Sequence, residues 1–219
     1  MLGLLPQLPR GRALRLLFLG AHADDIEIGC GGTVLSLLRD RPGCEVNWVV
    51  FSADKVRERE ARRAATALLK KAGKATIHVA DFRECFFPSQ YADIKARLED
   101  IARGLSPDIV FTHQREDLHQ DHRVLGELAW NTFRNHLILE YEIPKFDGGL
   151  GSPQVFVPVD RALAKRKVSL LMKVFASQLQ RNWFTPETFM ALMRLRGIEC
   201  QSPSGLAEAY YVRKIVMAA

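Results

Sequence analysis

The chain has 219 residues, of which 47% are hydrophobic, 26% charged and 9% aromatic, values that exclude a disordered, collagen-like or low-complexity chain. The formal net charge is +6, and residues 55–74 hold eight of the 31 basic but only two of the 25 acidic side chains, so the remainder is balanced. Because that segment contains no aromatic residue, it reads as a solvated helix face rather than a nucleic-acid groove.

At this length residues 1–219 are expected to form a single domain. Apolar residues near the N-terminus are broken by Pro6, Pro9, Arg10, Arg12 and Arg15, so neither a signal peptide nor a membrane span is expected. Leu14–Leu19 is a short apolar run that predicts a first strand. Gly31–Arg41 follows as a helix with Val34, Leu35, Leu37 and Leu38 turned inward. Glu45–Phe51 predicts a second strand, residues 55–74 a helix, and Thr76–Ala80 a third strand. Tyr91, Ile94, Leu98, Ile101 and Leu105 form a helical stripe, and Asp108–Thr112 a fourth strand. Asp121 is placed as the N-cap of a helix running to about Asn135. Strands over Leu137–Ile143 and Gln154–Val159, helices over Arg161–Gln178 and Pro186–Arg196, and a strand over Ala209–Val216 complete the chain. Alternating strands and helices predict an α/β, Rossmann-like fold: a mostly parallel sheet with helices on both faces. Ligands in such folds sit beyond the carboxyl ends of the strands.

The titratable residues cluster at those ends. AHADDIEIGCGGT, residues 21–33, places His22, Asp24 and Asp25 directly after the first strand. HQREDLHQDH, residues 113–122, packs three histidines with Asp117, Asp121 and Glu116 after the fourth. With strands one and four adjacent, the two clusters would meet at one crevice. Imidazole and carboxylate form the ligand set of Zn²⁺ or a related divalent ion, and Fe²⁺ suits the same donors. Such an ion supplies a water nucleophile at neutral pH.

The motifs His22-Ala23-Asp24-Asp25, Gly29-Cys30-Gly31-Gly32 and His119-Gln120-Asp121-His122 resemble those of the LmbE-like/PIG-L family of metal-dependent N-acetylglucosaminyl de-N-acetylases. The resemblance is clear from about Leu14 to Phe133 and looser beyond. It implies His22, Asp25 and His122 as metal ligands and Asp24 as general base. It further implies His119 as an imidazolium facing the oxyanion, with Asp121 holding that charge. Arg57 and Glu60 resemble a family pair in which the arginine approaches substrate. Ala23 stands where the family has proline, and Ile26 where it has an acidic residue, with Glu27 one place later.

Other features have plainer readings. The glycines at 29, 31 and 32 start too far from the strand end for a dinucleotide fingerprint and are expected to form a tight turn. Asp24 lies too far upstream of Gly31 to cap that helix. His113 is expected to end a strand without binding metal, and Asp117 either structures its loop or contacts substrate. Cys30 is expected to pack as a small residue. The aromatics of Cys85-Phe86-Phe87-Pro88 and Trp183-Phe184 are placed to wall a pocket. None of the four cysteines forms a C-x-x-C pair, which suits reduced thiols in the cytoplasm.

The expected function is zinc-dependent removal of the N-acetyl group from an N-acetylglucosamine-containing sugar or glycoconjugate. A non-sugar or secondary-metabolite amide is the alternative substrate, and a non-catalytic sugar-binding protein the alternative class. The expected partner is that small molecule, without nucleic acid or membrane; a homo-oligomer is compatible with the sequence.

Overall fold

Along the first strand, Leu16 and Phe18 turn to one face of the sheet and Leu17 and Leu19 to the other, each into its own apolar cluster. A strand buried on both faces is what a helix layer on each side requires. The computed structural model describes residues 11–216. The expectations for residues 1–10 and 217–219, including their place in the domain and the reading of the extreme N-terminus, lie outside it.

Thirteen elements follow in chain order: β1 (Arg15–Gly20), α1 (Asp25–Asp40), β2 (Glu45–Val50), α2 (Lys55–Leu68), β3 (Lys74–Val79), α3 (Tyr91–Ala102), β4 (Ile109–His113), α4 (Gln120–Thr132), β5 (Leu137–Tyr141), β6 (Val155–Pro158), α5 (Arg161–Val174), α6 (Pro186–Glu199) and β7 (Ala207–Tyr211). The seven strands form one sheet in the order β3-β2-β1-β4-β5-β7-β6. Strands β1 to β5 run parallel, while β7 is antiparallel to both β5 and β6. The α/β reading therefore holds, with an antiparallel edge added. Helices α1, α2, α5 and α6 pack on one face around Phe18, Trp48 and Tyr210. Helices α3 and α4 cover the other around Leu17, Leu19 and Val110. No helix among the described residues is long and apolar enough to cross a membrane.

The largest departure from expectation is α1. It begins at Asp25 rather than Gly31, so Asp24 is its N-cap residue and the glycines are helical rather than a turn. Isolated propensity disfavours glycine in a helix, but packing reverses the preference here. A Cβ on Gly29 would lie 2.4 Å from a ring carbon of Tyr141, and one on Gly32 would lie 2.9 Å from Val159 and 3.0 Å from Glu208. The glycines let α1 settle onto Tyr141 of β5, Glu208 of β7 and Val159 just beyond β6. Behind it, the buried carboxylate of Glu208 accepts from the Gly32 and Thr33 amides at 2.7 and 2.6 Å and pairs with Lys167 at 2.6 Å. Lys167 also donates to the Ile28 carbonyl, so the helix is held from both ends of one ion pair.

Candidate metal and catalytic centre

Strand β1 lies between β2 and β4, so the chain leaves it toward one side of the sheet and returns on the other. That is the switch point at which parallel sheets open a crevice. The segments after Gly20 and His113 face each other there, and residues about a hundred positions apart come into contact. His22, Asp24, Asp25, His119, Asp121 and His122 are brought together as expected.

His22 Nδ1 lies 3.3 Å from His122 Nε2 and 3.4 Å from Asp25 Oδ2, and His122 Nε2 lies 3.5 Å from Asp25 Oδ1. Donors about 2.0–2.2 Å from a tetrahedral divalent ion stand roughly 3.3–3.6 Å apart. The two imidazoles meet at that spacing, and each lies near a different oxygen of Asp25, so the three side chains converge on one point where a divalent ion could be held; Asp25 and His122 also group with His113, and His22 and His122 with His119. Each imidazole is also backed by a carboxylate. His22 Nε2 donates to Asp121 Oδ2 at 3.0 Å, and His122 Nδ1 donates to Asp117 Oδ2 at 3.1 Å. This carboxylate–histidine pairing fixes the tautomer that leaves the opposite nitrogen free for a metal.

The electrostatics agree. Burial, reinforced by His113, lowers the His122 pKa to about 3, so its ring is neutral at physiological pH. Burial opposes ionisation of Asp25, but His122, His113 and His22 outweigh it and hold the carboxyl well below the usual range. Burial also opposes charge on His22, yet Asp25 and Asp121 hold its pKa well above that of a free imidazole. A cation at Nδ1 therefore displaces a proton there.

Asp24 stands apart from the donor triad. Its carboxylate meets Arg57 Nη2 at 2.9 Å, and burial raises its pKa against the opposing pull of that guanidinium. Arg57 Nη1 is in turn held by Glu60 at 3.1 Å and by the Ser177 hydroxyl at 3.1 Å, above the ring of Phe175. Arg57 was expected to approach substrate; in the structure its donors go to Asp24, Glu60 and Ser177. A buried carboxylate with a raised pKa, beside the metal donors but not among them, is suited to shuttle a proton.

Three expected roles change. Asp121 is not the N-cap of α4: that residue is His119, whose Nδ1 accepts from the Asp121 amide at 3.2 Å. The Asp121 carboxylate makes its hydrogen bonds to His22 and to the Cys85 and Phe87 amides at 2.6 and 3.1 Å, and acts on His119 through its charge alone. His119 is therefore placed differently from the expected imidazolium. Its Nδ1 lone pair is taken, its Nε2 carries the proton, and burial together with His22 lowers its pKa. In that tautomer it offers an N–H donor at Nε2, and the residue also groups with His22 and His122 as side chains that could hold a metal ion. Asp117 is buried; it accepts from His122, from the His119 amide at 2.7 Å and from Lys145 Nζ at 2.7 Å. Burial would raise its pKa, but His122 and Lys145 drive it far down. Its oxygens are thus engaged by His122, His119 and Lys145.

His113 ends β4 as expected, and its Nε2 accepts from the Ala21 amide at 2.9 Å. Ile26 is buried in the core, so the position after the aspartate pair makes no polar contact. Glu27 is buried with neither side-chain oxygen partnered, and burial raises its pKa well above the usual range. Cys30 is a buried core residue. His78 and His136 lie away from the centre, with His136 against Phe133. Reading the sequence missed Lys145, Ser177 and Tyr141. Each reaches the centre only through the tertiary fold, and none carries a local motif.

Comparison with known proteins adds to this geometry. The family model for GlcNAc-PI de-N-acetylase (PIG-L) matches residues 17–133. The uncharacterized deacetylase YaiS of Escherichia coli (strain K12) is 32% identical over 172 residues, spanning 72% of this chain and 89% of its own. Among solved structures, the N,N'-diacetylchitobiose deacetylase of Pyrococcus horikoshii superposes with a TM-score of 0.71 at 22% identity, covering 92% of this chain and 84% of its own. GalB, the 4-carboxy-2-hydroxymuconate hydratase of Pseudomonas putida KT2440, superposes at 0.74 with 16% identity, covering 94% and 98%. The fold is thus shared with enzymes of more than one reaction.

Proposed function

The chain belongs to the GlcNAc-PI de-N-acetylase (PIG-L) family, and from that premise we propose that it hydrolyses the acetamide of an N-acetylglucosamine-containing sugar or glycoconjugate with a bound divalent cation, Zn²⁺ in the first instance. The observation that carries this reading is the convergence of His22, Asp25 and His122 within about 3.5 Å of one another, with Asp24 held separately by Arg57. The hydratase likeness shows that the fold alone does not assign the reaction.

When bound by the triad, the cation supplies a Lewis acid that acidifies water and polarises the amide carbonyl. Asp24 accepts a proton as water attacks the acetyl carbon. Arg57 keeps that carboxylate ionised and pointed at the reacting water. His119 donates its Nε2 proton as a hydrogen bond to the carbonyl oxygen while negative charge develops there. Asp24 then returns the proton to the amine nitrogen as the C–N bond breaks, and acetate and a free amine leave in equal amounts. Asp121 and Asp117 hold the two ligand imidazoles, and Asp117 also holds the His119 amide. Because His₂Asp suits Fe²⁺ as well as Zn²⁺, the native ion is part of the proposal. The four cysteines are all unpaired, which fits the reducing cytoplasm we propose for it.

The test is a set of N-acetylglucosamine conjugates offered to metal-reconstituted protein, with acetate and primary amine both quantified. Equimolar release supports the reading. Release of amine only from non-sugar amides replaces the sugar substrate, and protein that binds no metal and releases nothing returns the chain to the non-catalytic class.

A further inference from the structure

Three of the four cysteines, Cys30, Cys44 and Cys200, are buried, and Cys85 is exposed. It sits in the loop between β3 and α3. Its backbone is tied to the start of α4 through both of its polar groups. The amide donates to Asp121 Oδ2 at 2.6 Å, and the carbonyl accepts from Gln120 Nε2 at 3.3 Å. That clamp sets the thiol beside the half-exposed ring of His119 and the buried carboxylate of Asp121, and one ligand atom of each lies within 4.8 Å of the other two. A sulfur, an imidazole nitrogen and a carboxylate oxygen are donors that hold zinc, and sulfur adds a preference for softer ions. The group shares no side chain with His22, Asp25 and His122. Asp121 is the wall between the two sets, since the same carboxylate accepts from His22.

We infer that Cys85, His119 and Asp121 form a second cation site, open to solvent at Cys85 and selective for a thiophilic divalent ion, and that filling it stops turnover. The ion takes the Cys85 sulfur, one ring nitrogen of His119 and an oxygen of Asp121, and the thiol proton passes to solvent. Burial, Glu84 and Asp121 raise the Cys85 pKa, so the side chain waits as a thiol. A thiol that senses oxidants needs the opposite surroundings, whereas neighbouring carboxylates favour a cation. The consequence for the centre is direct: His119 is committed to the ion, and so is the carboxylate that backs His22. The site itself stands on these three side chains. Only its effect on turnover rests on the deacetylase reading.

The test starts from protein loaded with one equivalent of Zn²⁺, to which Cd²⁺ is added. His22, Asp25 and His122 offer no sulfur, so an ultraviolet sulfur-to-cadmium charge-transfer band reports the second site alone. A chromogenic thiol reagent on the folded protein reports Cys85 alone, because the other thiols are buried. The expected result is a band that saturates at one equivalent of Cd²⁺ as Cys85 becomes protected from the reagent. The band is lost in Cys85→Ser. In His119→Ala, shown to be folded by circular dichroism, it no longer saturates at one equivalent. Excess Zn²⁺ abolishes amine release from an N-acetylglucosamine conjugate in the parent, in step with protection of Cys85, and leaves the rate of Cys85→Ser as it was before the addition. A band and protection with no amine release from either protein support the site and count against the deacetylase reading alone. Absence of the band, with Cys85 labelled as fast as before, overturns the site. So does a band that His119→Ala leaves unchanged, which reduces Cys85 to a solitary thiol. Inhibition by Zn²⁺ that persists in Cys85→Ser overturns the link to turnover.

Discussion

Asp117 separates two accounts of the centre, because a substrate contact and a ligand-orienting carboxylate respond differently to the same change. Its Oδ2 accepts from His122 Nδ1 at 3.1 Å and from Lys145 Nζ at 2.7 Å, and its Oδ1 accepts from the His119 amide at 2.7 Å. In Asp117→Asn one of these oxygens becomes an amide N–H₂. If Oδ2 is replaced, the new donor faces two donors; if Oδ1 is replaced, it faces the His119 N–H. No orientation satisfies all three partners, and Lys145 loses its counter-charge. Removing the carboxylate behind a metal-ligating imidazole costs about 10–100-fold in metal affinity, which is about 1.4–2.7 kcal/mol. The assay strips the protein with a chelator, then titrates Zn²⁺ against a competing chromophoric chelator for parent and variant. Circular dichroism on each confirms that both are folded. A fall of that size refers Asp117 to His122. Unchanged metal affinity with a raised KM would refute the reasoning and return Asp117 to the substrate.

Arg57→Met removes the cation that holds down the Asp24 pKa; a base must be ionised to act, so the acid limb of kcat/KM moves to higher pH, and an unmoved limb detaches Arg57 from Asp24. Gly29→Ala drives a methyl against Tyr141, whose hydroxyl donates to the Leu19 carbonyl at 2.7 Å; thermal denaturation should show a loss of about 1–3 kcal/mol. Lys167→Met leaves Glu208 buried without its counter-ion and should cost about 3 kcal/mol, roughly 6–12 °C in Tm for a chain of this size. Adding Glu208→Gln should restore part of that loss, and strictly additive destabilisation would show that the two side chains are not coupled.

Much of this was legible in the sequence because it was written locally. Short apolar runs bounded by turns marked β1, β2 and β4, and the order of strands and helices gave the parallel sheet. The adjacency of β1 and β4 then brought His22, Asp24 and Asp25 to His119 and His122. The start of α1 was hidden because Gly29, Gly31 and Gly32 oppose a helix by propensity, and the residues that reward their lack of a side chain, Tyr141, Val159, Lys167 and Glu208, lie more than a hundred residues away. The partner of Asp121 was hidden for a related reason. Sequence proximity suggested His119, whereas the loop through Cys85 and Phe87 turns the carboxylate toward His22. The strand β7 ends at Tyr211 rather than Val216, where pairing to β5 and β6 stops. Basic residues in α2 stayed a surface feature except at Arg57, the one that turns inward to Asp24.

The central claim is that Asp24 performs proton transfer beside a cation it does not bind. Asp24→Asn is the direct measurement: the variant is reconstituted with Zn²⁺, its metal content is determined, and amine release from an N-acetylglucosamine conjugate is followed under saturating substrate. The account predicts one equivalent of metal, as in the parent, with kcat lower by about 10²–10⁴-fold. Activity within a few-fold of the parent, or loss of metal along with activity, would contradict it.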